Sequence, residues 1–411
     1  MNTTVSRLTQ SGAPMSLATP WVLTGKRSRR QFAQMLSWGA VGWFSAPAAG
    51  PEIGAEFQRA AVIGHTGQGD YGHGLEKVFQ GLPGVEVVAL ADPQEAGRNR
   101  TARALGVRKT YADWREMLRL ERPQWVVVAM RQADPHGEIV LACAEQGIHV
   151  FVEKPFVRSP KEADAILRSA ERTGSKIAVA HTMRQMPVVE AFQQAVQGGL
   201  LGSLVEMRAF GKQDHRAGGE DLMVLGTHLF DLMRMFAGDP LWCSARVLVD
   251  GRDITVADRR RVADQVGWVA GNQVFATLAF PKGVNATFTS DARLREATGH
   301  WGIEFRGSKG VAKLNCDLSP SVFLRKATSW SPTGREESWE PWGKEWVDRA
   351  PEHTRAPVQD WLESVTENRP PKCSAADGAW AVEVVAAIYR SALTGRRMNF
   401  PLEQREHPLE G

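Results

Sequence analysis

Cysteine is scarce in this 411-residue chain: Cys143, Cys243, Cys316 and Cys373 lie far apart, and none has a neighbour at metal-ligand spacing. That argues against a zinc site, and no bound metal is expected. Buried thiols are the default, and Cys143, within the helical pattern Ile139, Val140, Cys143, Ala144, reads as a small core residue. Also lacking is an excess of charge of one sign. The 50 basic and 46 acidic residues are interspersed, giving a net charge of +4 with no basic stripe, so nucleic acid is not an expected partner. The run Arg259, Arg260, Arg261 stands between Asp258 and Asp264 and reads as a solvated loop rather than an anion site. No apolar run approaches the ~20 residues that cross a bilayer.

What is present begins with a targeting pattern. Ser28-Arg29-Arg30-Gln31-Phe32 resembles a twin-arginine export signal, followed by an uncharged stretch with an apolar run from Met35 to Phe44. Ala46-Pro47-Ala48 is a candidate cleavage site, so residues 1–48 read as a signal peptide, with Met15 as an alternative start. The expectation is an exported protein of the periplasm or cell envelope, handled transiently by the twin-arginine machinery, a route that carries folded cargo. The remainder exceeds the usual limit of ~250 to 300 residues for one core, and two domains are expected, over 57–180 and 181–402.

The first of these alternates strand and helix patterns. A strand from Arg59 to Gly64 leads into Gly64-His65-Thr66-Gly67-Gln68-Gly69-Asp70-Tyr71-Gly72, ahead of a helix expected near His73. Glycines there would let the backbone approach a pyrophosphate, which a helix N-terminus attracts, so Gly64, His65, Gly67, Gln68 and Gly69 are candidate cofactor residues. A second strand, Val85 to Leu90, ends in Asp92, placed to bind a ribose diol and to favour NAD over NADP, although an Asp92-Pro93 turn is the simpler alternative. A helix from Gln94 to Leu105, a strand Trp125 to Met130 and a helix from His136 to Glu145 follow. Arg131 to His136 thus lies at a strand end where it could line the nicotinamide side of the cleft, with Met130 and His136 as candidate cofactor residues. The pattern points to a doubly wound parallel sheet. At its centre His149-Val150-Phe151-Val152 reads as a buried strand ending abruptly in Glu153-Lys154-Pro155. Ligands bind beyond the carboxyl ends of such strands, so Glu153 and Lys154 are expected in the cleft.

These motifs, with Asp134-Pro135-His136, Gly226-Thr227-His228, Asp231 and Gly307-Ser308-Lys309-Gly310, together resemble the glucose-fructose oxidoreductase, inositol dehydrogenase and MocA family over about residues 57 to 402. The resemblance implies a Rossmann domain followed by an α/β domain built on a large open mixed sheet, whose exposed face commonly mediates homo-oligomerisation. It implies an NAD cofactor, with NADP an alternative, and hydride transfer to or from a sugar, sugar derivative or polyol. Lys154 would belong to the acid and base machinery. A cation ~4 Å away repels a lysine by ~4 kcal/mol at an effective dielectric of 20, enough to lower its pKa by roughly three units, towards the range of a general base. His228, on one helix face with Asp231, would exchange a proton with the hydroxyl. The family's aspartate four positions before this histidine falls at Val224, so Asp221, and less strongly Glu220, stand as substitutes. His181, Arg184, Asp231 and Asp214-His215 are further candidates to line the substrate side. Four tryptophans from Trp330 to Trp346 read as interface residues before sugar platforms. Export adds that the cofactor should be tightly held, because free NAD is scarce outside the cytoplasm. The alternatives are a redox-neutral glycosidase or lyase of the same family and a sugar-binding regulatory protein without catalysis.

Overall fold

The computed structural model describes residues 57–296, 301–325, 338–347 and 354–410; the export-signal stretch and Trp330 lie outside them. The first sheet has six parallel strands: β1 (Gln58–Ile63), β2 (Val85–Ala91), β3 (Lys109–Tyr111), β4 (Trp125–Val128), β5 (His149–Val152) and β6 (Ile177–Val179). Their order is β3-β2-β1-β4-β5-β6, the doubly wound arrangement. The short β3 and the helix after it were not legible in the sequence pattern.

Alternation along these strands feeds two apolar layers. Ala61, Ile63, Val126, Val128, Val150 and Val152 face helices α2 (Trp114–Glu121), α3 (His136–Glu145) and α4 (Pro160–Thr173), leaving α1 (Glu95–Leu105) on the opposite side. There Ala60, Val62, Val127 and Phe151 meet Leu75 and Phe79, and also Val358 and Trp361 from a helix near the C-terminus. That helix, α9 (Arg355–Thr366), follows α5 (Pro187–Gln197), α6 (Gly219–Val224), α7 (Gly226–Ala237) and the short α8 (Lys344–Val347). The chain therefore leaves the second sheet to pack on the first before its last strand rejoins the second. Trp361 is fully buried, lies 4.8 Å from the Trp125 ring in an edge contact, and donates its Nε1–H to the Lys176 carbonyl at 3.0 Å. Trp361→Ala is expected to cost about 3–5 kcal/mol, read as a lower urea midpoint, because it opens a large cavity between two sequence-distant segments.

The second sheet runs β15-β14-β13-β12-β7-β11-β10-β8-β16, with β9 paired to β8. Its strands are β7 (Leu204–Phe210), β8 (Trp242–Val249), β9 (Arg252–Asp253), β10 (Gln273–Ala279), β11 (Asn285–Asp291), β12 (Gly302–Gly307), β13 (Gly310–Asn315), β14 (Ser321–Arg325), β15 (Glu340–Trp342) and β16 (Met398–Asn399). β7 and β11 are parallel while their other neighbours are antiparallel, so the sheet is mixed. Met207, Val247, Leu278, Phe288 and Phe305 are buried in the same core as α7 and α10 (Ala375–Thr394). On β7 the alternate positions, Glu206, Arg208 and Phe210, are half-buried or exposed. Helix α10 opens with a capping box in which Ser374 Oγ and N both donate to Asp377 Oδ2, at 2.7 and 2.8 Å.

Two of the tryptophans after β14, Trp342 and Trp346, serve packing. Trp342 stands edge-on to Phe192 of α5 at 5.6 Å, and Trp346 packs against the same core, which supports neither the interface nor the sugar-platform reading for these two. All four cysteines are buried and unbridged. No helix among the described residues is long and apolar enough to cross a membrane.

Candidate active site

Strand order reverses between β1 and β4, and the crevice beyond their carboxyl ends is where the glycine loop lies. The loop closes as a tight hairpin in which His65 N donates to the Asp70 carbonyl (3.2 Å) and Asp70 N to the His65 carbonyl (3.0 Å). Its glycines have different jobs. A Cβ on Gly64 would strike the Tyr71 ring at 2.1 Å, and one on Gly69, at φ 82°, would come within 2.7 Å of Arg131 N. Gly72 is pressed likewise on Arg131 and Glu153. These three let the loop settle on β4 and on itself, whereas the general expectation was approach to a phosphate. Only Gly67, at φ 79° with nothing within 4 Å of a built Cβ, sits with Gln68 at the exposed apex. That open backbone over the switch point fits a dinucleotide's diphosphate.

Three further expectations change. No α-helix follows the loop: Gly72–Lys77 is a 3-10 segment in which His73 (φ 52°) and Gly74 (φ 74°) are left-handed. The expected helix N-terminus does not form. Asp92 is fully buried and already engaged, accepting from Thr66 Oγ1 (2.6 Å), Tyr71 OH (2.8 Å) and Gln94 N (2.9 Å). It staples the glycine loop to β2 instead of presenting a free carboxylate to a ribose. His136 is buried between the carbonyls of Pro155 and Met130, each 2.8 Å from a ring nitrogen, where its one N–H as a neutral ring can bond either, and it is absent from the cleft lining. Met130 contributes one of those carbonyls and is itself buried.

Beyond the loop, a cleft of about 360 Å³ is lined by Glu153, Lys154, His228 and Trp301 among others. Glu153 is fully buried, contacts His73 Nδ1 and accepts from Lys154 N at 2.6 Å. Burial works to raise its pKa, but the His73 and Lys154 contacts outweigh this and lower it. The Lys154–Pro155 peptide is cis. Lys154 Nζ donates to the Val224 carbonyl at 3.3 Å, so at the position of the missing aspartate the backbone is what the lysine meets. Burial lowers the lysine pKa, with Glu153 opposing and Arg216 and Arg131 assisting. His228 is held well below its usual pKa by burial and by nearby Lys154 and His181. A lysine whose pKa burial lowers and a neutral imidazole lining one cavity can exchange protons with a hydroxyl.

The substitutes for the missing aspartate are elsewhere. Asp221 is buried, accepting from Ser290 Oγ (2.6 Å), Gln213 N (3.1 Å) and Lys212 N (3.3 Å), and so shapes the turn after β7. The shared-face argument fails because Leu225 (φ −115°) separates α6 from α7. Glu220 faces Arg260 at 3.8 Å. Arg184 donates to Asp231 Oδ2 at 3.0 Å and pairs with Asp377 at 3.2 Å. His181, Arg184 and Asp231 lie behind the cleft wall and are absent from its lining, where substrate contacts were expected. His215 is exposed, while Asp214 is tied to Arg216 at 2.6 Å. The arginine run is not merely solvated either: Arg259 and Arg261 flank the Trp268 ring, and Arg261 reaches Asp134 at 2.9 Å. Arg131, at the strand end expected to line the cleft, does so, whereas sequence reasoning missed Lys212, Arg216 and Trp301 there. Trp301, one residue before β12, carried no periodic signal.

The D-apiose dehydrogenase of Paraburkholderia graminis is 25% identical over 349 residues, 80% of this chain and 87% of that protein. The NAD-dependent scyllo-inositol 2-dehydrogenase of Bacillus subtilis is 29% identical over 153 residues, 37% and 44% of the two chains. A solved levoglucosan dehydrogenase, in complex with NADH and levoglucosan, shares the fold with a TM-score of 0.66 at 19% identity, covering 84% of this chain and 99% of its own. Residues 58–181 match the NAD-binding Rossmann fold of the GFO/IDH/MocA oxidoreductases and residues 206–400 match their C-terminal alpha/beta domain. On that match, and with the two sheets and the cleft in place, the chain belongs to the GFO/IDH/MocA oxidoreductase family.

Proposed function

We propose that this protein is an NAD-dependent oxidoreductase acting on a hydroxyl of a sugar, sugar derivative or polyol. The observation that carries the reading is that Lys154 and His228 face one cleft at the carboxyl end of the Rossmann sheet, both buried enough to lose their protons readily. Bound NAD supplies the acceptor for the hydrogen that leaves carbon with its electron pair. Gly67 and the exposed loop apex would hold its diphosphate, and Glu153 and Lys154 would border its nicotinamide end. Lys154 and His228 hold or remove the hydroxyl proton. Trp301, 5.9 Å from the His228 ring, offers an apolar plate for the CH face of a ring-shaped substrate. Relatives named for action on apiose, scyllo-inositol and levoglucosan support a polyhydroxylated substrate.

The twin-arginine pattern supports an envelope location, with NAD retained through turnover. The open face of the second sheet supports a homo-oligomer, because it exposes Phe210 and Phe275 beside the ion pairs Arg208–Glu206 and Arg306–Glu304. Acid denaturation of the purified protein should release NAD, identifiable by mass, and a sugar and polyol panel should reduce the bound nucleotide in place. Failure to retain or bind any nicotinamide nucleotide, with no response to the panel, would remove the proposal.

A further inference from the structure

A second polar layer lies directly behind His228. His181, two residues past β6, is 1% exposed, and neither of its ring nitrogens has a hydrogen-bond partner. Its ring stands edge-on to that of His228, centroids 5.2 Å apart, and its Nδ1 lies 3.9 Å from Asp231 Oδ1. His228 Nδ1 is also buried without a hydrogen bond. Asp231 Oδ1 is in the same state: the Arg184 guanidinium pairs with it at 2.9 Å, but outside hydrogen-bonding alignment. A buried polar group left unsatisfied is costly, so three in a row call for a use. His181 and Asp231 also form, with Cys373, a set of possible metal ligands within 4.8 Å of one another. A cation there would meet the Arg184 guanidinium already beside Asp231, and burial raises the Cys373 thiol well above its usual pKa, keeping it protonated. A metal is therefore disfavoured.

We propose that His181 and Asp231 form a proton relay behind His228, the two acting as positioning residues for its proton transfer. The inference rests on the cleft oxidising a hydroxyl. In the oxidative direction the substrate O–H bond breaks and its proton goes to the ring nitrogen of His228 that faces the cleft. The Nδ1 proton passes to one nitrogen of His181, and the proton on the other nitrogen goes to Asp231, which becomes a carboxylic acid. The carbon-bound hydrogen leaves with its electron pair to the nicotinamide, and the substrate becomes a carbonyl; reduction runs the same chain backwards. Burial lowers His181 to about 3, with Arg184 and Lys154 assisting against Asp377 and Glu153, so its ring is neutral and can both give and take a proton. Burial raises Asp231 to about 6, with Asp377 assisting and Arg184 and Arg234 opposing, which leaves it ionised at neutral pH yet ready to accept. Lys154 and His73 are the other charged or titratable groups acting on His228.

His181→Gln and Asp231→Asn, made in the nucleotide-bound protein, should each lower kcat by about 10- to 100-fold, with substrate KM and nucleotide affinity held within twofold. The solvent deuterium isotope effect on kcat should rise in both. The acidic limb of the kcat profile should sit near the Asp231 value and vanish in Asp231→Asn. Independently of turnover, nitrogen-15 spectra of the histidine rings should show His228 changing tautomer balance in His181→Gln. Unchanged kcat and profile, or losses of KM and nucleotide affinity in proportion, would overturn the relay. If Asp231→Asn does not fold for want of a partner to Arg184, His181→Gln, which alters no charge at neutral pH, decides alone. If the parent protein turns over no sugar, the underlying reading fails, and the ring spectra alone decide whether His228 and His181 are coupled.

Discussion

Replacing Lys154 with methionine should lower kcat by about 10³-fold while nucleotide affinity stays within a few-fold. The side chain is 7% exposed, its stem is packed, and its Nζ donates to a backbone carbonyl, so methionine keeps the packing and removes only the nitrogen. The remaining buried carboxylate, Glu153, keeps its contact with His73, which limits the structural damage. Lys154→Arg should not rescue, because a guanidinium stays protonated throughout and cannot serve as a base. In the parent protein the oxidation rate should rise with pH as the ammonium loses its proton, with a midpoint below that of a free lysine, since burial lowers this pKa. More than a tenth of parental turnover in the methionine variant, with the same pH profile, would reduce Lys154 to a structural role.

The sequence carried the parallel sheet and the strand end bearing Glu153 and Lys154, because buried strands that alternate with helices leave a strong local period. The observed β5, His149–Val152, ends where the charged pair begins, and α3 spans His136–Glu145 as its pattern indicated. What failed were inferences about partners. Asp92 stood at the right place for a ribose, but its carboxylate is filled by Thr66 and Tyr71, which only the folded loop brings to it. His136 began a helix facing the cleft in sequence, yet two carbonyls from different strand ends enclose its ring. The missing helix after the glycine loop follows from residues that are individually permissive: left-handed His73 and Gly74 break it in its first turn, and α9, more than 270 residues later, covers part of that face instead. Val224 was legible as a departure. That it lends its carbonyl to Lys154, and that His181 and not an aspartate stands behind His228, required the fold.

Stability should fall steeply on mild acidification, and the cause lies in histidines buried in the neutral form. Burial lowers His181 to about 3 and His407 to about 4, the latter with help from Arg158, Arg261 and Arg390; His136 and His228 shift the same way. An unfolded histidine titrates near ~6.5, so below that pH the unfolded chain binds protons that the folded one refuses. The contribution is whole above the unfolded value and is lost as pH falls towards the folded one. Each such histidine removes about 1.4 kcal/mol per pH unit in that window, so His181 and His407 alone should take roughly 4 kcal/mol from the folding free energy between about pH 7 and about pH 5. Asp231 acts the other way. Its pKa is raised to about 6 from 3.8, so its contribution is whole below the lower value and lost as pH rises through the higher, and acid relieves part of the loss. Histidines with lowered pKa outnumber it, and the net slope should remain towards acid instability. His407 sits beside Tyr389, ring centroids 6.2 Å apart, and does not line the cleft, so His407→Gln should flatten the acid limb of the urea midpoint while leaving kcat and its pH profile as in the parent. A urea midpoint that stays level over this range would show that the buried rings accept protons in the folded state, and the neutral histidine pair required behind the cleft would fall with it.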